Sequence, residues 1–294
     1  MDLDKSGFEK AGKIASEIRS YALGLVKEGA KLLDVAKAIE AKIVSLGAKP
    51  AFPVNISINE IAAHYTPRHN DDAVFKKGDL VKLDFGVHVD GYPADTATSI
   101  SVGKSEENQK LIDASAEALK AAIAVVKPGV KVSEIGAEIE AAAKRNGVNV
   151  IRNLSGHGVD RWDLHSDPSI PNFDNGNNTK LSENKTIAIE PFMTYGKGMI
   201  KEAGACEIYK VMEFKPMRDR EVTDFIRKEF GTLPFAKRWV IEKFGVLKAS
   251  TAIREAVSKG ILYEYDVLKE VSGAKVAQTE HTILVKEKSK ILTL

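Results

Sequence analysis

The chain repeats part of itself. Ala22 to Gly47 aligns without a gap on Ala122 to Gly147, an offset of 100 residues. Val26, Lys27, Gly29, Lys31, Ile39, Glu40, Ala41 and Gly47 recur as Val126, Lys127, Gly129, Lys131, Ile139, Glu140, Ala141 and Gly147. Each copy reads as helix, turn, helix. An apolar stripe runs into Lys-Glu-Gly or Lys-Pro-Gly, and a second stripe stops at a glycine suited to end a helix. Leu111, Ala114, Ala118, Ala122 and Val125 share one face of the first helix in the second copy. Strand-like sequence then follows each pair, Leu80 to Asp84 in one half and Thr186 to Glu190 in the other, and both strands finish on a carboxylate. Two α+β halves that each deliver an acid from a comparable strand predict a site on a pseudo-twofold axis.

Tyr195 to Tyr265 has no counterpart in the first half. Candidate helices there are Glu221 to Phe230, Ala236 to Phe244 and Thr251 to Lys259, so residues 195–265 read as a mainly helical insertion. Residues 1–194 and 266–294 form the expected main domain, with the chain returning to strand at Lys275 to Val285.

Composition narrows the function classes. Lys plus Arg is 43 against 41 Asp plus Glu, a net charge of +2, which supplies no general attraction to nucleic acid or an anionic membrane. Phe8, Ala11, Ile14, Ala15 and Ile18 sit at helical spacing among charges rather than forming a secretion signal, and no apolar run is long enough to span a bilayer. Cys206 is the only cysteine; an internal disulfide is excluded, and the expected compartment is the reducing cytoplasm.

The strongest local signal is Asp84-Phe-Gly-Val-His-Val-Asp-Gly-Tyr-Pro-Ala-Asp95. Asp90-Gly91 favours a two-residue hairpin turn. Counting outward from that turn sets Gly86 opposite Asp95, with Asp84 on the same face as a diagonal neighbour roughly 7 Å away. Two like charges that close call for a cation between them, over a glycine that leaves room. His157 stands between Gly156 and Gly158, which permit close approach. Glu190 and Glu280 lie in apolar strands with no Arg or Lys close in sequence, where an unpaired carboxylate is expensive to bury. Four carboxylates and one imidazole suit two divalent ions of intermediate hardness better than a structural thiolate zinc site.

These motifs, with Ser155-Gly156-His157, Ile189-Glu190-Pro191 and Gln278-Thr279-Glu280-His281, resemble the pita-bread metallopeptidases (M24). Ala51-Phe-Pro-Val-Asn55, Ala62-Ala-His-Tyr-Thr-Pro67 and Gly231-Thr-Leu-Pro-Phe-Ala236 resemble the type II methionine aminopeptidases of the archaeal and eukaryotic kind. The likeness covers essentially the whole chain. Thr279 departs from it, since a Phe is common before that glutamate, and altered packing behind the site is the expected result.

The resemblance implies a pita-bread fold, α+β, with two pseudo-symmetric halves around a curved antiparallel sheet. It implies two divalent metal ions, Co, Mn, Fe or Zn. Asp84 would chelate one, Asp95 and Glu280 would bridge both, and His157 with Glu190 would complete the second. A metal-activated water would attack the first peptide bond, with Glu190 as its proton shuttle. His64 and His165 match the two substrate-facing histidines, and Phe52, Leu164, Pro234 and Tyr265 the wall around the methionine side chain. The implied reaction removes an N-terminal methionine when the second residue is small. Expected partners are newly made polypeptides and the ribosome, for a cytoplasmic monomer away from membranes. His69, His88, His281 and Cys206 read as structural. The alternatives on the same fold are an Xaa-Pro aminopeptidase or dipeptidase, whose relatives carry an added N-terminal domain, and a noncatalytic interaction protein, which would be expected to lose ligands.

Overall fold

A computed structural model describes residues 6–204, 206–215 and 217–294. The two copies of the repeat fold alike. Helices α1 (Ser6–Leu25) and α2 (Leu32–Ser45) correspond to α3 (Glu106–Val125) and α4 (Val132–Arg145), 20 and 14 residues long in each half. Gly47 and Gly147 follow the second helices with φ of 77° and 65°, the left-handed backbone that closes a helix without a Cβ clash. The repeated apolar residues serve two separate cores. Val26 and Ile39 pack with Leu83 and Phe85, while Val126 and Ile139 pack with Ile187 and Ile189.

The hairpin expected around Asp90-Gly91 is present. Strands Leu80–Val89 and Tyr92–Ser101 pair with Gly86 opposite Asp95 and Asp84 opposite Ala97. Both turn residues have positive φ, 51° and 81°, which matches the twist of the flanking strands. Strands Lys49–Pro50 and Asn55–Ile58 extend this hairpin to a four-stranded sheet. In the second half, five antiparallel strands run in the order Lys290–Ile291, His281–Leu284, Thr186–Ile189, Ser155–Asp160, Asp163–Pro171.

Side-chain hydroxyls join the two sheets. Thr96 Oγ1 donates to Glu280 O (3.0 Å), Glu280 N donates to Ala97 O (2.9 Å), and Thr282 Oγ1 both accepts from Asp95 N and donates to Asp95 O, each at 2.8 Å. Ser99 Oγ in the same way serves both Gln278 N and Gln278 O. The hydroxyls do the work that a continuous backbone ladder would do elsewhere, and the strands can curve past one another at this seam.

The single strand expected over Lys275 to Val285 is two strands. Val276–Gln278 pairs with Phe192–Thr194, and His281–Leu284 pairs with Thr186–Ile189. Thr279 and Glu280 lie at the break, as do Glu190 and Pro191 between their own two strands. Pro191 lacks the N–H that a ladder needs, and Glu280 N is taken by Ala97 across the seam. Each break turns a glutamate out of the ladder.

From Ile208 onward the inserted chain packs around its own core of Tyr209, Val222, Ile226, Phe235, Val240, Ile253 and neighbours. Its helices are α5 (Arg220–Phe230), α6 (Lys237–Phe244) and α7 (Val246–Ser258). α7 begins five residues before the expected Thr251, because Gly245 at φ 79° ends α6 and starts the next helix at once. The segment is less purely helical than expected, since Phe235–Ala236, Ile208–Val211 and Leu262–Tyr265 form a small antiparallel sheet. Residues Ile200–Glu202 pair instead with Leu268–Glu270, and that strand with Ile61–Ala63 of the main body.

Candidate metal centre and pocket

Asp84 and Asp95 come from the first-half hairpin, His157 from strand Ser155–Asp160, and Glu190 and Glu280 from the two breaks. All five line one cavity of about 240 Å³. Asp95, His157 and Glu280 present ligand-type atoms within 4.8 Å of one another. Gly156 and Gly158 let the histidine strand sit this close to its neighbours. A Cβ at Gly156 would lie 2.2 Å from Ala188 O, and one at Gly158 would lie 2.1 Å from Asp167 O.

His157 Nδ1 lies 3.1 Å from Gly158 O, so this nitrogen carries the proton and Nε2 is left with a lone pair. Burial holds the imidazole well down, at about 4, so it is neutral. Its bare Nε2 nevertheless faces Asp95 Oδ2 and Glu190 Oε1, each at 3.7 Å. A lone pair directed at two acidic oxygens, too far apart for hydrogen bonds, is an arrangement that a cation makes favourable.

The carboxylates give the same indication. Burial pushes Asp84 up to about 7, countered in part by a hydrogen bond from Gln278. Asp95 is raised well above the usual range by burial, then by Asp84 and Glu190. Glu280 is raised by burial, then by Asp95, Glu190 and Asp84. Glu190 is raised by burial and by Asp84. Asp84 Oδ1, Asp95 Oδ1 and Glu280 Oε1 are buried with no hydrogen-bond partner. Buried carboxylate oxygens without donors carry a desolvation cost that divalent cations offset, and the all-O/N donor set suits such ions.

Above the acids lie the remaining expected residues, Phe52, His64, Leu164, His165, Pro234 and Tyr265, all lining the same cavity. His64 has φ of 65°, an uncommon conformation for a residue with a side chain, and Nδ1 lies 3.1 Å from Asp266 O. Burial lowers its pKa, so the ring is neutral with Nδ1 donating and Nε2 free to accept. His165 keeps accessible surface at the rim. Its ring packs edge-on against His157, and its Nδ1 lies 3.2 Å from Tyr265 Oη. Desolvation by the surrounding pocket, then His157, His64 and Lys210, holds its pKa well below the usual value.

Two neighbours were not singled out from the sequence. Gln278 Nε2 reaches Glu190 Oε2 (3.2 Å) and Glu280 Oε2 (3.3 Å), so one amide spans two of the acids. Its position two residues before Glu280 was the available signal. Asn55 is directly opposite Asp84, a pairing that depends on strand register across 29 residues. Thr279, the departure noted above, bonds Ser115 Oγ on α3 at 2.7 Å, which puts a polar contact behind the site. Cys206 donates to Ile208 O at 2.9 Å, and burial pushes its thiol up to about 11, as suits a structural residue. His88 accepts from Gly91 N and His281 contacts Thr293 Oγ1, both away from the acids.

The space over Gly86 is occupied. A Cβ there would fall 2.3 Å from the Phe52 ring and 2.9 Å from Ala51 Cβ, so this glycine makes room for the pocket wall rather than for an ion. Gly86→Ala is expected to push Phe52 aside, lowering stability by about 1–3 kcal/mol as overpacking does. Urea unfolding measures the cost, and a variant as stable as the parent would show that Phe52 moves freely.

A pita-bread arrangement with a buried four-acid, one-histidine centre defines the class, and residues 6–287 match the model of Metallopeptidase family M24; the chain belongs to that family. As metallopeptidases, its members use divalent metal. The chain is 45% identical over 297 residues to the methionine aminopeptidase of Pyrococcus abyssi, covering 100% of this chain and 99% of that protein. It is 43% identical over 282 residues to the methionine aminopeptidase of Methanothermobacter thermautotrophicus, covering 95% and 94%. Among solved structures it resembles the methionine aminopeptidase of Thermotoga maritima, with a TM-score of 0.73, 26% identity, and coverage of 100% of this chain and 98% of that one.

Proposed function

We propose that the chain removes an N-terminal methionine from peptides and proteins whose second residue is small. The observation that carries this reading is that the apolar side chains of Phe52, Leu164 and Pro234 line the same cavity as the four acids and His157. Full-length similarity to methionine aminopeptidases supports the substrate.

Asp84, Asp95, His157, Glu190 and Glu280 would hold two divalent ions, Co, Mn, Fe or Zn. When bound, such ions lower the pKa of a coordinated water and stabilise developing negative charge on a carbonyl oxygen. Glu190 takes the proton of the attacking water and returns it to the leaving amine. The Gln278 amide orients that carboxylate. His64, donating through Nδ1 to Asp266 O, offers Nε2 to the N–H of the scissile amide. Tyr265, whose hydroxyl burial keeps protonated, donates to His165 Nδ1 and leaves Nε2–H to stabilise the carbonyl oxygen as it gains charge. Phe52, Leu164 and Pro234 exclude water around an unbranched thioether, whose flexibility suits an irregular slot. Residues 195–265 act as an inserted subdomain that supplies Pro234 and Tyr265. Residues 1–194 and 266–294 supply the four acids, the three histidines, Phe52 and Leu164. Newly made chains in the cytoplasm, met at the ribosome, are the natural substrates.

The test is release of methionine from Met-Ala-Ser by chelator-stripped protein titrated with Mn, Co, Fe and Zn, beside Met-Leu-Ser and Ala-Pro peptides. Metal-dependent cleavage of the first alone is expected. Cleavage of Ala-Pro instead would transfer the site to Xaa-Pro chemistry, and inactivity with every metal would favour a noncatalytic role.

A further inference from the structure

Arg238 on α6 is 1% exposed, and Glu40 on α2 is 9% exposed. Their side chains form an ion pair between Nη2 and Oε1, although one belongs to the insertion and the other to the first repeat. Arg238 Nη1 also donates to Thr66 Oγ1 at 2.8 Å, and Thr66 Oγ1 donates to Val54 O at 2.8 Å. Glu40 accepts from Val54 N at 3.2 Å and from Trp239 Nε1 at 2.9 Å. None of these five residues lines the cavity over the acids.

Each anchored segment carries a wall of that cavity. Phe52 precedes Val54 by two residues, His64 precedes Thr66 by two, and Pro234 precedes Arg238 by four. Leu233, beside Pro234, packs in one buried cluster with Phe52 and Leu164. Behind this wall lies a second cavity of about 730 Å³, which Leu233 and Pro234 line together with Glu40 and Trp239. A wall with open space on both sides keeps its place through its anchors. Buried ion pairs seldom stabilise a fold more than well-packed apolar residues would, so the value of this one lies in fixing position.

We propose that the Glu40–Arg238 pair is a positioning device that holds three walls of the pocket in register and sets how strictly it takes an unbranched side chain. The selectivity part rests on the function proposed above; the anchoring part does not.

The test uses the metal-loaded full chain with Glu40→Leu and Arg238→Met combined, so that neither charge is left buried alone, and with Trp239→Phe, which removes the indole hydrogen bond to Glu40 and keeps an aromatic ring against Phe230. For the double variant, KM for Met-Ala-Ser is expected to rise about tenfold and the preference over Leu-Ala-Ser to fall by a similar factor, with kcat within about threefold. Affinity for free methionine, measured by calorimetry, should weaken in step, while Mn affinity and melting temperature hold. Trp239→Phe should move KM and preference the same way by a smaller factor. Amide exchange at Ala51, Phe52, Val54, Leu233, Phe235 and Ala236 should quicken about tenfold in the double variant, whatever peptide is cleaved. Unchanged exchange there overturns the device outright. Faster exchange with unchanged KM and preference overturns its role in selectivity. If the double variant does not fold, unchanged exchange, KM and preference in Trp239→Phe overturn the proposal. A parent inactive on both peptides would overturn the proposed function, with the exchange measurement still deciding the anchoring.

Discussion

Glu190→Gln is expected to lower kcat about 10³-fold, within the range of general acid–base contributions, without lowering the melting temperature of the metal-free protein. The amide keeps the shape of the side chain and can still meet Gln278, which spans Glu190 and Glu280. It cannot take a proton from water. Removing one of four buried acids also relieves like-charge repulsion, since burial and Asp84 together raise Glu190 well above its ordinary range. Stability of the metal-free variant should therefore equal or exceed that of the parent. Steady-state kinetics at saturating Mn, with Mn affinity measured separately by calorimetry, distinguishes lost proton transfer from lost metal. Turnover within tenfold of the parent would remove Glu190 from the proton-transfer role.

The second large effect joins metal to pH. In the metal-free protein the four carboxyls hold protons more tightly than in the unfolded chain, with Asp84 at about 7 and the other three raised well above the ordinary carboxyl range by burial and by neighbouring acids. Their contribution is complete below the unfolded carboxyl range near 4 and is lost as pH rises through the folded values. Each proton so held steepens the loss by about 1.4 kcal/mol per pH unit. The window that tests this runs from pH 6.5 to 8.5, above the unfolded carboxyl range. His88, His157 and His281, all held near 4, titrate below this window in the folded state. Lys82, lowered to about 7 by burial, works in the opposite direction but does so with or without metal. The readout is therefore a difference. The gap in melting temperature between Mn-loaded and chelator-treated protein should widen as pH rises from 6.5 to 8.5, because metal binding displaces those protons. A gap that stays constant would mean that the acids do not hold the metal.

Much of this site was readable from residue types and spacing. The 100-residue repeat gave the halves, and Asp90-Gly91 set the register that brings Asp84 and Asp95 onto one face. The roles of His64, His165 and the pocket residues came from resemblance, since nothing in their local sequence separates them from ordinary core or surface positions. What remained hidden depends on distant register or on side chains that replace backbone pairing. Glu280 read as mid-strand because Val276 and Ala277 before it and Ile283, Leu284 and Val285 after it read as one strand, and the break at Thr279 shows only once Thr96 and Ala97 take up the backbone of Glu280. Gly86 read as space for an ion because Phe52 lies 34 residues away in sequence. The start of α7 was misplaced because Gly245 ends one helix and begins another without a loop.

The hydroxyl seam between strand Tyr92–Ser101 and residues 278–282 has a consequence for biosynthesis. Asp95 and Thr282 are 187 residues apart, and Glu280 N donates to Ala97 O across the same seam. The first-half hairpin can form early, but Glu280 is made 185 residues after Asp95. Capture of metal at the proposed centre would then wait for the second half: a chain cut before Glu280 would fold part of its first half and still be unable to close the centre.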